Sequence, residues 1–438
     1  MLSERVDIFG FYRHELGKSD FLALIACIHI KEFFKMIRLI KDIFNMNRIT
    51  GAYEKSTTLG EVVNAFVPFP LPPTSPELDA AVFAQPVRRA QMALARLSGV
   101  SELVPSMDWL LYSAIRKEAL LTSQIEGTQA TITDLFDDEA GLEVSNTNDV
   151  EEVTNYIAAY KFVRDNLRDS KGLPISTRLL CEAHKLLMNG VRGEGKQPGE
   201  LRRSQNWIGG TRPGNAVFVP PPADKVQGLL GDLEKFIHSQ IPFGQETHSE
   251  PSPLLPALVV TAMVHAQFET IHPFLDGNGR IGRLLIAALF EELGVLPEPL
   301  MYVSGFLKQH QSEYYRLLPG VRKEGDWESW IQFFLEAVEV AATDAEKSIV
   351  QIGNLVAAHR AKLLNSVQAN TMAVRLLDLL PMMPRFTVER VRQSLQTSYP
   401  TANAAVKTLE ALGLISETTG QKKNRSFSYA SYIEILSR

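Results

Sequence analysis

Apolar positions recur at helical spacing over most of the chain, and the strongest runs flank one polar segment. From Leu258 to Phe274 the positions Val259, Val260, Met263, Val264, Phe268 and Ile271 predict a helix, and Ile281 to Leu293 predicts a second. The polar run between them, residues 272–283, is therefore a loop that leads into a helix N-terminus. Upstream, Leu110, Leu111, Ile115, Ala119 and Leu120 mark a helix and its exit over Met107 to Phe136. Trp327 and Trp330 read as packing residues of a helix that closes the core. The pattern from about Glu77 onward predicts a mainly α architecture with one short hairpin. In that hairpin Gly214-Asn215 is the turn, Phe218 and Val219 are strand residues, and Pro220 to Pro222 stop the strand.

After Gln351 the character changes. Helices are expected at Thr371 to Leu380, Thr387 to Leu395 and Thr401 to Leu412. Two short strands follow, Leu414 to Thr418 and Arg425 to Tyr429, around the Gly420 to Asn424 turn. Three helices and a two-stranded wing make a winged-helix arrangement. Asn403 and Lys407 would face a groove, with Ala405, Val406 and Leu409 packed inward. The boundaries expected are 1–55 as an N-terminal extension, 56–150 as an N-terminal helical region, 151–350 as the core and 351–438 as the winged helix.

Residues 1–50 carry an amphipathic pattern (Ile30, Phe33, Phe34, Ile37, Ile40, Phe44) with Lys31, Lys35, Arg38 and Lys41 on its polar side. The apolar part, Phe21 to Ile30, is too short to span a bilayer, and no cleavage-site pattern follows a basic segment. A docked extra helix, or a start upstream of Met46, fits these residues better than a membrane-surface role. Pro68 to Pro76 is an extended leader into the helical part.

Composition narrows the class. The 438 residues are 45% hydrophobic and 22% charged, as in ordinary globular proteins. The two cysteines, Cys27 and Cys181, have no metal spacing, which points to a cytoplasmic protein without disulfides. Net charge is −5, so the whole chain makes no case for nucleic acid. Residues 371–438, however, hold nine Lys/Arg against five Asp/Glu, which suits contact with DNA phosphates as well as protein contacts.

The candidate chemistry lies in the loop, His272-Pro-Phe-Leu-Asp-Gly-Asn-Gly-Arg-Ile-Gly-Arg283. Gly277 and Gly279 flank Asn278 and let the backbone approach a ligand, and a helix N-terminus attracts anions. Arg280 and Arg283 offer planar forks to phosphate. Asp276 is a hard oxygen ligand suited to magnesium shared with substrate phosphates. His272 can be a neutral base near physiological pH. Together these parts suit a nucleotide triphosphate attacked by a hydroxyl whose proton His272 removes. Neither a Walker A loop nor GxGxxG after a strand is present.

This segment resembles the signature of the Fic family, HxFx(D/E)GNGRxxR, and matches it at every specified position. The resemblance implies a Fic-type helical bundle and a protein adenylyltransferase, which moves AMP from ATP to a Ser, Thr or Tyr hydroxyl of a target protein. His272 would be the catalytic base, Asp276 the Mg2+ ligand, Gly277, Asn278 and Gly279 the phosphate cradle, and Arg280 and Arg283 the neutralisers of pyrophosphate. Thr122-Ser-Gln-Ile-Glu126-Gly127 matches the family's inhibitory motif, (S/T)xxxE(G/N), so Glu126 would pair with Arg283 and compete with the γ-phosphate. The hairpin with Phe218 and Val219 resembles the family's flap, which docks a target segment by strand addition. Tyr314 and Tyr315 stand where the family often places an aromatic against adenine; adjacent helical residues point about 100° apart, so at most one can face it. His265 reads as a satisfied core histidine. Three things are left open by these residues. The same site could remove AMP as a phosphodiesterase, with Glu126 positioning water. The chain could be a DNA-binding regulator whose Fic part senses nucleotide. Self-modification and homodimerisation are also compatible; a membrane partner is not expected.

Overall fold

The computed structural model describes residues 48–438 except 75, 103, 191–193, 242–254 and 422, so the amphipathic segment before Met46 lies outside the described residues. The chain divides into two compact units at Arg48/Ile49, and Ile49–Arg438 is the unit described here. Its described part is mostly helical, with two small antiparallel sheets.

The unit opens on a hairpin, β1 (Gly51–Thr58) and β2 (Glu61–Pro68), paired in register from Gly51↔Pro68 to Thr58↔Glu61. The sequence assigns this stretch to the N-terminal extension and to the start of the helical region, with no strand expected. The strand signal is faint because β1 has no buried position and a single large apolar residue, Tyr53, while β2 buries Val63, Ala65 and Phe66 without strict alternation. Helices follow: α1 (Ala80–Ser101), α2 (Met107–Ile125), α3 (Ile132–Glu139), α4 (Thr147–Arg168), α5 (Thr177–Leu187) and α6 (Ala223–Ser239). Next come α7 (Ala257–Ile271), α8 (Asn278–Glu292), α9 (Ser304–Gln309), α10 (Gln311–Glu324) and the long α11 (Trp327–Leu364). Asp326 caps α11 by accepting from Ser329 N, and Gly325 in the left-handed region ends α10.

Helix α7 is the axis of the core. Every residue from Leu258 to Ile271 is buried, as expected of a helix that is apolar nearly all round. Its polar members, Glu269 apart, are satisfied locally or across the core. Thr261 and Thr270 donate to carbonyls one turn back, and the Ala262 carbonyl accepts from Trp330 Nε1 at 2.8 Å. His265 bonds Gly282 O and Tyr314 OH, so it is the core histidine expected. Trp327 and Trp330 are both buried in α11.

The C-terminal region holds α12 (Thr371–Leu379), β3 (Arg385–Thr387), α13 (Val388–Ser394), α14 (Tyr399–Ala411), β4 (Ser416–Glu417), β5 (Ser426–Ser428) and α15 (Ala430–Ser437). Its sheet has three strands, in the order β3-β5-β4, rather than the two expected. The third, β3, is only three residues long and is made by pairing with β5, which no local pattern reveals. In α14, Ala405, Val406 and Leu409 are buried and Lys407 is exposed. No helix among the described residues is long and apolar enough to cross a membrane.

Candidate active site

The loop between α7 and α8 is held by its backbone. His272 ends α7 in the left-handed conformation (φ 49°), which turns the chain out of the helix and which a non-glycine residue adopts only when its surroundings hold it there. Arg202 supplies that hold. Its Nε donates to His272 O at 2.9 Å, its Nη2 to Pro221 O at 2.5 Å and Ile271 O at 3.4 Å, and its own N–H to Pro273 O at 2.9 Å. Arg202 is almost wholly buried, and burial lowers its pKa to about 10. The Asn278 side chain closes the loop from the other end, accepting from Phe274 N (2.8 Å) and donating to Phe274 O (2.9 Å). The asparagine is thus a clamp, and what it can offer an anion is its backbone N–H.

Helix α8 begins at Asn278, so the N–H groups of its first turn lack partners within the helix. Gly277 takes φ 74°, and a Cβ there would meet Met188 Sδ at 3.0 Å and the His184 ring at 3.4 Å. Asp276 is exposed; one of its oxygens accepts the Gly277 N–H at 2.6 Å.

Burial lowers the His272 pKa to about 3, aided by the positive charges of Arg202 and Arg322 and opposed by the Glu269 carbonyl. The imidazole is therefore neutral at any working pH, as a base must be. Its Nδ1 is shut off from solvent with no partner at normal hydrogen-bond geometry.

The two arginines of the loop have different fates. Arg280 is buried and paired with Glu152 at 3.2 Å, with Met188 Sδ beside it. That partner, a carboxylate from α4, is long-range and invisible to motif spacing. Arg283 faces α2: Nε donates to Thr122 Oγ1 at 2.6 Å, and Nη2 to Thr122 O at 3.1 Å and Glu126 Oε1 at 2.5 Å. Burial works against its charge, yet Glu126 raises its pKa above the ordinary value. Glu126 caps α2 at its C-terminus and Gly127 follows at φ 103°, so the turn out of the helix aims the carboxylate at α8. A Cβ on Gly279 would lie 2.3 Å from Glu126 Oε1. The carboxylate thus lies against the glycine at the head of α8, where an incoming anion would sit.

The remaining expected residues separate. Tyr314 is 1% exposed and bonded to His265, so it is core and not an aromatic platform; a heptad-like position on α10 turns it inward. Tyr315 is 49% exposed and lies in the field of Glu126 and Arg283. The flap reverses as expected but pairs minimally. It forms a single bridge, Ile208↔Phe218, around a 3-10 turn at Pro213–Asn215. Pro213 has no N–H, and Asn215 Oδ1 takes the N–H groups of Thr211 and Arg212, which leaves no ladder to build. Phe218 lies under the Arg322 guanidinium at 3.8 Å, and the Val219 carbonyl accepts from Phe66 N at 3.0 Å. Residues 218 and 219 are thereby tied to α10 and β2.

Sequence reasoning missed His184, Arg202, Glu152, Glu269 and Arg322. Each looks ordinary alone, a charge or histidine on a helical pattern or, for Arg202, in a loop, and gains meaning only from partners far along the chain. Glu269 is buried, one of its oxygens lacks a partner, and burial raises its pKa to about 7. Among the described residues no group of three or more His, Cys, Asp or Glu could hold a metal by itself.

The fold and site define a helical protein with a polar loop at the head of a helix, a half-buried neutral histidine and a carboxylate lodged against the loop. Comparison with known families places it further. The model described as Fic/DOC family N-terminal matches residues 84–164, and that described as Fic/DOC family matches 174–290. Residues 84–290 of the chain thus match the Fic/DOC family. It is 29% identical over 188 residues to "Protein adenylyltransferase Fic" of Aedes aegypti, covering 43% of this chain and 32% of that one. Against the protein of the same name from Drosophila grimshawi it is 26% identical over 218 residues, 49% and 39% of the two chains. The matched part thus spans about a third of these relatives' length. The crystal structure of a Fic family protein from Desulfovibrio desulfuricans G20 shares the fold, with a TM-score of 0.51 at 21% identity over 81% of this chain and 97% of that one.

Proposed function

We propose that the protein is an adenylyltransferase that moves AMP from ATP to a hydroxyl of a target protein or of itself, and that Glu126 restrains it. The observation that carries the reading is the assembly of His272, Asp276, the head of α8 and Arg283 around one loop, with Glu126 on Arg283. A target hydroxyl gives its proton to neutral His272. Its oxygen then bonds the α-phosphorus while the bond to pyrophosphate breaks. First-turn N–H groups of α8 and Arg283 would hold the phosphates, and no covalent help from the protein is needed. Arg280, engaged by Glu152, supports the start of α8 instead of binding pyrophosphate.

The residues fit a magnesium ion brought with the nucleotide. Asp276 is exposed, keeps an oxygen beyond the one taken by Gly277 N–H, and one protein carboxylate is enough when substrate phosphates supply other ligands. Bound there, the ion would neutralise charge developing on the phosphates.

With ATP labelled at the α-phosphate, the Glu126→Gly protein should become labelled or label a target; with γ-label it should not. The reverse pattern would mean phosphoryl transfer and would overturn the proposal.

For residues 371–429 we favour a winged helix, supported by the order helix, strand, helix, helix, strand, strand and by the sheet order β3-β5-β4. Exposed Lys407 on α14 suits DNA phosphates. Binding to duplex DNA that weakens with salt and with Lys407→Ala would support this; unchanged binding in that variant would remove α14 from the interface.

A further inference from the structure

We propose that His184 is a positioning residue of the transfer site: it fixes the backbone at Asp276 and so aims that carboxylate at the cation that accompanies the nucleotide. The inference rests on the reading of Asp276 above. The proton on His184 can be assigned from its neighbours. The backbone N–H of Gly199 points at Nδ1 at 2.9 Å and can only donate, so Nδ1 accepts. The proton is therefore on Nε2, which lies 3.1 Å from the Asp276 carbonyl and donates to it. The ring is fully buried and lies flat on Phe274, with centroids 3.9 Å apart and planes 5° from parallel. Met188 and the same ring also fill the space beside Gly277.

The carbonyls of the loop are divided among different side chains. Arg202 takes His272 O, Asn278 takes Phe274 O, and His184 takes Asp276 O. The first sets the base and the second closes the turn. The third is the one from outside the motif that reaches the residue bearing the exposed carboxylate. Because the Asp276 side chain is exposed, its aim depends on the backbone beneath it. His184 also links that backbone to Gly199, three residues before Arg202, so one short segment serves both base and carboxylate.

The experiment uses full-length protein carrying Glu126→Gly and His272→Ala, so that nucleotide binds without turnover. ATP binding is measured by calorimetry with magnesium and with EDTA, and thermal midpoints are recorded alongside. His184→Asn keeps an acceptor for Gly199 N–H but has no donor that reaches Asp276 O; His184→Gln can place a donor there. His184→Asn should weaken magnesium-dependent ATP binding about 10-fold, the low end of what outer groups of a metal site contribute. Binding in EDTA should be unchanged, and His184→Gln should restore affinity to within about threefold of the parent on the same scale. Equal losses in both variants, or a loss that persists in EDTA, would reduce His184 to a packing residue. Parent-like binding by His184→Asn would also overturn the proposal. If the parent binds ATP but magnesium makes no difference, the reading of Asp276 fails and takes this one with it. If the parent binds no ATP at all, it is the reading of the whole loop that fails.

Discussion

Removing the Glu126 carboxylate is the most informative perturbation. Arg283 is 1% exposed and Glu126 35% exposed, so the ion pair between them is buried at one end and wet at the other. A charge-assisted hydrogen bond is worth about 1.5–3 kcal/mol, and partial exposure of Glu126 argues for about 2. A nucleotide that must displace this contact binds weaker by that amount, and at 1.4 kcal/mol per tenfold this is about 30-fold. Steric exclusion acts in the same direction, since the carboxylate already lies against Gly279. Position 126 has ordinary right-handed backbone angles (φ −85°, ψ 0°), so alanine fits it without strain. Glu126→Ala and Glu126→Gly should therefore agree, and Glu126→Gln, which keeps the shape but loses the charge, should fall between them and the parent. Calorimetric titration of each with magnesium-ATP reads the effect. Equal affinities in all four proteins, with circular dichroism unchanged, would refute the competition argument.

Other consequences follow from the same geometry. With His272 pushed to about 3, its neutral form is present throughout the working range, so the transfer rate of Glu126→Gly should show no acid limb near the ordinary histidine value of about 6.5. Glu118 is buried, accepts from Ser304 at 2.6 Å, and its pKa is raised by burial to about 7 although Arg283 and its hydrogen bonds lower it. The folded state then holds the proton more tightly than the unfolded one, and stability falls as pH rises from about 4.5 to about 7 before levelling. Glu118→Gln should flatten that slope, giving a higher thermal midpoint than the parent at pH 8; Glu269, shifted likewise, keeps part of the slope. Arg202→Lys replaces a fork that reaches several carbonyls by a point donor, so kcat of Glu126→Gly should drop about 100-fold with little change in KM for ATP. An unchanged kcat would show that the backbone at His272 holds itself.

The parts legible in the sequence were those built from local spacing. The helices flanking the loop, α2 and its turn at Gly127, the packing tryptophans and the three C-terminal helices all follow from periodicity over neighbouring residues. What was not legible depends on partners distant along the chain, on weak local patterning or on side chains competing with the backbone. The pairing of Arg280 with Glu152 joins residues 128 positions apart. Gly214-Asn215 reads as a hairpin turn until Asn215 is seen taking the N–H groups a ladder would need. Strands β1 and β2 escape notice because neither shows a strict apolar alternation, and β3 because it exists only through β5. His184 sits on an amphipathic helix, where a histidine is more often filler than part of a site.

The measurement that bears most directly on the central claim compares Glu126→Gly with Glu126→Gly/His272→Ala, each incubated with magnesium and ATP labelled at the α-phosphate, in buffer and in cell lysate. Label on the protein or on lysate bands in the single variant, absent in the double, is the outcome this account requires. Label that survives the loss of His272, or no label in either while ATP still binds, would contradict it.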